Sequence, residues 1–137
     1  MHDSVSRVNA PDPLRRLMID AAREFNAGRY FEAHEVLEDG LDGVPDELWD
    51  FVLGLIQIAV GYHKTTRRLW KGAAQMLGRG LEKVEGFPVD AGSMDLEALR
   101  RRVRFDIEQL QHGAFDAQEL NRHPPRLKLA SGPRGRV

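Results

Sequence analysis

Residues 48–66 constrain the fold more than any other part of the chain, because only a narrow strip of that segment is polar. At about 100° per residue Asp50, Gln57 and Lys64 fall within roughly 40° of one another, and apolar side chains or glycine take most of the remaining circumference. A helix apolar on most of its surface must be covered on several sides, so the rest of the chain has to wrap it. The other segments supply amphipathic helices for that purpose, and strict period-two alternation is hard to find.

The first of these helices is expected to open with Asp12 as N-cap and Pro13 at the first helical position, with an inward stripe of Leu14, Leu17, Met18, Ala21 and Phe25, and to stop at Gly28. A second runs over about 30–39 and ends near Gly40 and Gly43, antiparallel to the first because the turn is short. Beyond the central third helix, a fourth over about 69–84 carries Trp70, Ala73, Ala74, Leu77, Leu81 and Val84 on one stripe. A fifth over about 95–111, capped by Ser93 or Asp95, points Leu96, Leu99, Val103 and Leu110 inward. The fold class is therefore all-α, a five-helix bundle around a mostly buried third helix. Residues 1–11 read as a flexible N-terminal segment, 12–113 as the helical domain, and 114–137 as an irregular, basic tail, with room for a short turn over 115–120, broken by His123-Pro124-Pro125 and either lying along the body or mobile.

Composition narrows the function classes. There is no cysteine, so neither disulfides nor thiolate metal sites enter. No stretch reaches the roughly 18 apolar residues of a membrane span, and the N-terminal residues lack a signal-like apolar region; the reading is cytoplasmic, without membrane association. Residues 121–137 hold five Lys/Arg and no acid, so with a chain total of −1 the first 120 residues carry −6. Clusters at Arg67, Arg68 and Lys71 and at Arg100, Arg101, Arg102 and Arg104 are read as solvated helix faces, the second diluted by Glu97, Asp106 and Glu108. Weak nucleic-acid binding through the basic tail is retained as a second alternative, although no aromatic platform accompanies it. Gly-rich phosphate loops, dinucleotide fingerprints and nucleophile elbows are missing.

One constellation has the makings of chemistry. With Phe31 at 0°, Ala33, Leu37 and Tyr30 fall at roughly 200–260°, His34 near 300° and Glu38 near 340°, so both polar residues lie between apolar neighbours, while Glu35, near 40°, lies outside the arc. A buried carboxylate costs several kcal/mol unless paired, which makes His34, four residues earlier, the nearest partner for Glu38. On the third helix His63 also falls among apolar side chains, with Gln57 on the polar strip. Two arrangements follow. In one, His34, Glu38, Gln57 and His63 form an interior hydrogen-bonded cluster that sets how two helices pack. In the other, His34, Glu38 and His63 ligate a divalent metal such as zinc, and Glu35 serves as base toward a metal-bound water in a hydrolase-like reaction. The leading expectation is an interaction or small-ligand-binding module rather than an enzyme; Gly54 and Gly61 would let another helix approach, within the monomer or across a homodimer, and a protein partner is equally compatible.

The same residues carry a resemblance. The run Phe25-Asn26-Ala27-Gly28-Arg29-Tyr30-Phe31-Glu32-Ala33-His34-Glu35-Val36-Leu37-Glu38, followed by Gly54-Leu55-Ile56-Gln57-Ile58-Ala59-Val60-Gly61-Tyr62-His63, resembles the DUF-309 family, a domain of unknown function, over roughly residues 14–103. The resemblance implies a small all-helical bundle and no assigned activity. It places the family's signature on residues 30–38 and its Gln and His on Gln57 and His63. This chain departs from the family at Leu41, where a Trp is common, and at Trp70, where an Asn is common.

Overall fold

In the computed structural model, which describes residues 13–129, the apolar segment forms helix α3 (Trp49–Thr66), with ten buried residues spread around its circumference. Before it come α1 (Pro13–Asn26) and α2 (Tyr30–Asp39); after it come α4 (Trp70–Glu85) and α5 (Glu97–Gln111). Each helix packs on the next in the chain, most extensively α3 on α4. The five-helix arrangement is thus the one the periodicity implies. Residues 1–11 and the Asp12 cap lie outside the described residues.

Gly28 closes α1 with φ +83°, a left-handed turn that a side chain would strain, and so folds α2 back onto α1. Where α1, α2 and α3 meet, Phe25, Tyr30 and Tyr62 form an aromatic cluster with ring centroids 5.1–5.9 Å apart, all three buried. This is the edge-and-tilt geometry that aromatic quadrupoles favour.

The α3–α4 interface is built from glycines. A Cβ on Gly54 would lie 3.0 Å from the Gly80 carbonyl oxygen, one on Gly80 would lie 2.6 Å from the Gly54 oxygen, and one on Gly61 would meet Leu77 at 2.7 Å. Backbone therefore rests on backbone, and the close approach expected of Gly54 and Gly61 is made inside the monomer.

The chain after α5 departs from expectation. A short helix α6 (Ala117–Arg122), N-capped by Asp116, is followed by strand β2 (Lys128–Leu129), which pairs antiparallel with β1 (Met94–Asp95). Asn26 fastens this segment: its Nδ2 donates to the Leu127 carbonyl at 2.9 Å and its Oδ1 accepts from the Leu127 N–H at 2.7 Å. Leu120 and Leu127 are buried, as is Pro125. The irregular character expected of the tail over 114–137 is corrected accordingly, and of its two expected dispositions it takes, as far as Leu129, the one along the body, because two buried leucines and a side chain that mimics a strand partner hold it. Residues 130–137 lie outside the described residues. The start of α5 also differs, since it begins at Glu97 without a side-chain cap while Asp95 sits in β1.

Candidate functional site

The signature segment falls on α2 and faces the C-terminal half of α3. Tyr30, Ala33 and Leu37 are its buried residues, centred near 230° on the helical wheel with Phe31 at 0°. Phe31 itself is 43% exposed, so the inward arc ends well before it. This displaces the polar residues. His34 keeps a side chain only 15% exposed, whereas Glu38, further round, is 58% exposed. The interior four-residue cluster is therefore corrected to a partly open groove between α2 and α3.

Within it, the His34 Nδ1–H donates to the Phe31 carbonyl at 2.8 Å, which leaves Nε2 facing Glu38 Oε1 at 3.5 Å. That contact is an ion pair only while the imidazole carries both protons, and with Glu38 solvated it contributes little to stability. The Phe31 ring touches both imidazoles, with centroids 4.9 Å from His34 and 5.1 Å from His63. His63 has its pKa lowered below 6.5, first by burial and then by the Arg67 charge, with Glu32 pulling the other way. Gln57 buries its Oε1 without a hydrogen-bond partner among the described residues.

Among the described residues no group of three or more His, Asp or Glu side chains is placed to hold a metal ion. The expected His34, Glu38 and His63 ligand set is thus not assembled: Glu38 turns to solvent and Phe31 occupies the space against the imidazoles. Glu35, the expected base, is exposed and lies outside the adjoining cleft. That cleft has a volume of about 420 Å³ and brings Tyr30, Phe31 and Glu32 together with His63, Thr66 and Arg67. Its cations differ, for Arg29 is bonded to Glu24 at 2.5 Å whereas the Arg67 side chain makes no ion pair among the described residues.

The buried charged site was missed by sequence reasoning. Asp106 on α5 is 3% exposed, and its Oδ2 accepts from the Tyr62 hydroxyl at 2.6 Å and from Arg102 Nε at 2.8 Å. Burial pushes the Asp106 carboxyl up, while the Tyr62 and Arg102 bonds pull it back. The Tyr62 hydroxyl is pushed well above its usual value, first by burial and then by the neighbouring carboxylate, and burial raises Tyr30 to about 12. A signal for Asp106 did exist. On the wheel of α5 it falls within about 20° of Leu99 and about 40° of Leu110, at the edge of the inward stripe, yet its place among arginines made it look like a surface charge.

The arginines of α5 are engaged individually. Arg101 meets Glu97, Arg102 meets Asp106, Arg104 meets Glu85, and Arg100 donates to the carbonyls of Val84 and Phe87 at the end of α4. In the basic tail Arg122 pairs with Glu119, and Arg134 and Arg136 lie outside the described residues.

Residues 18–76 match the model of the family described as "Domain of unknown function (DUF309)". The chain carries a DUF309 domain. The match is shorter than the resemblance over 14–103: it takes in most of α1, all of α2 and α3, and the start of α4. Phe31, His34, Glu38, Gln57 and His63 thus fall inside the DUF309 region, whereas Arg102 and Asp106 fall outside it. A search of curated proteins found no match. No helix among the described residues is long and apolar enough to cross a membrane.

Proposed function

We propose that the DUF309 domain of this chain is a binding module whose contact site is the cleft between α2 and α3. The observation that carries this reading is Phe31: a large aromatic ring left 43% exposed, braced by two imidazoles, at the edge of a cleft of about 420 Å³. Held aromatics next to a concavity are the usual anchors of recognition. Arg67 supplies the polar counterpart, a guanidinium at the cleft wall suited to bidentate contact with a carboxylate or phosphate. The ligand class that fits is an apolar or aromatic group bearing an anion, whether a small molecule or the side chains of a partner protein.

Benzoate is a minimal probe for that chemistry. Titrated into the ¹⁵N-labelled chain, it is expected to shift the amides of Phe31, His63 and Arg67 saturably, with the shifts abolished in Phe31→Ala and reduced in Arg67→Glu. Absence of a saturable shift at these three amides, or an undiminished shift in Phe31→Ala, would refute the proposal.

A further inference from the structure

We infer that the cavity between α5 and α6 is a second binding site, for a small primary ammonium compound. The cavity has a volume of about 350 Å³. Its lining includes Asp106, Phe105 and Phe115, with Asp116 and Glu119 contributing further carboxylates and Arg102 a guanidinium. The site stands apart from the α2–α3 cleft, with which it shares no lining residue.

Three features select the ligand. Asp106 is 3% exposed and uses Oδ2 for both of its bonds, to Tyr62 and Arg102, so Oδ1 accepts no hydrogen bond among the described residues although the side chain lines the cavity. An acceptor so placed is free to take a donor from an occupant of the cavity. Next, the charges near that oxygen favour a cation. Arg102 already donates its Nε to Asp106, and beyond that pair the lining holds the carboxylates of Asp116 and Glu119 together with one imidazole, His123. Glu119 is also paired with Arg122, and one oxygen of Asp116 accepts from the Gln118 N–H, so both are held in place at the cavity. Finally, Phe105 and Phe115 provide aromatic surface for the alkyl part and for cation–π contact with the ammonium. Phe115 is steadied by Trp70, with ring centroids 5.8 Å apart, while Phe105, at 55% exposure, stands open to solvent. An ammonium with N–H donors is required, rather than a quaternary one, because the unfilled position is a hydrogen-bond acceptor. A cavity near the lower end of the usual range for ligand sites sets the size at a short alkyl chain or a single ring.

The test uses n-butylammonium, tetramethylammonium and butyrate, each titrated into the full ¹⁵N-labelled chain at constant ionic strength. Butylammonium is expected to shift the amides of Phe105, Asp106 and Phe115 saturably, tetramethylammonium to bind at least several-fold more weakly, and butyrate to leave them unmoved. Asp106→Asn should abolish the butylammonium response. Should that variant fail to fold, Phe105→Ala decides the matter, since an exposed ring can be removed without opening the core; it should weaken the apparent Kd by threefold or more. Equal responses to butyrate, equal binding of tetramethylammonium, an unchanged Kd in Phe105→Ala, or no saturable response at these amides would each overturn the assignment.

Discussion

Replacing Gly80 by alanine tests whether α3 and α4 are held together by backbone contact. The new Cβ would lie 2.6 Å from the Gly54 carbonyl oxygen, 2.7 Å from Ile58 Cγ1 and 2.9 Å from Ile58 N. Two of these atoms are main chain inside a helix and cannot rotate away, so the helices must part by roughly 0.8 Å to restore normal contact. Such a gap forfeits about a quarter to a half of each dispersion contact across the interface. Overpacking of this kind costs typically about 1–3 kcal/mol, and the rigid neighbours put Gly80→Ala at the upper end. Alanine regains about 1 kcal/mol through helix propensity, leaving a net loss of about 2 kcal/mol. Gly78, two residues earlier on the same helix, is the internal control, because a Cβ there meets nothing within 4 Å. Gly78→Ala should therefore stabilise by about 1 kcal/mol. At roughly 3–5 °C per kcal/mol for a chain of this size, thermal unfolding followed by circular dichroism should place Gly80→Ala about 6–10 °C below the wild type and Gly78→Ala about 3–5 °C above it. A Gly80→Ala variant melting at or above the wild-type temperature would refute backbone contact between α3 and α4.

Other expectations concern the polar anchors. Tyr62→Phe removes one of the two donors to buried Asp106 and should cost about 2 kcal/mol in urea unfolding; a loss under about 0.5 kcal/mol would show that the bond contributes little. Asn26→Ala leaves both backbone groups of Leu127 without their partner, at a cost of about 2 kcal/mol, and should speed hydrogen exchange at the Leu127 amide more than at amides in the middle of α3. His63 has a lowered pKa in the folded chain, so the unfolded chain binds the proton more readily; its contribution is fully present above pH 6.5 and is lost as pH falls through the folded value. The urea midpoint should accordingly decline on acidification below pH 6.5, and His63→Gln should flatten that decline.

The helical wheel recovered the elements well and the functional residues unevenly. Placing α3 at the centre needed only its composition, since a segment apolar on nearly every side has no stable alternative to burial. Glu38 and Asp106 failed in opposite directions for one reason. A wheel gives an angle, but the width of the buried arc depends on what packs against the helix. Counting Phe31 as inward widened the arc of α2 and drew Glu38 into it, although the structure leaves both in solvent. On α5, reading the charges as a surface cluster narrowed the arc and pushed Asp106 out, although its angle lies next to Leu99 at the edge of the stripe and the structure buries it.

By itself the sequence determined the number and order of the long helices, the central position of α3, the turn at Gly28 and the DUF309 resemblance, all of which follow from local periodicity, local turn chemistry or a contiguous motif. Tertiary structure alone decided which partners distant residues found. Asp106 met Tyr62 across 44 positions and Leu127 met Asn26 across 101, and these pairings turned an apparent surface charge into a buried acceptor and an apparent tail into part of the body. Neither could be read from spacing along the chain, because a hydrogen bond between remote segments depends on where packing of the apolar stripes brings their backbones together, and that is a property of the assembled bundle rather than of any one helix.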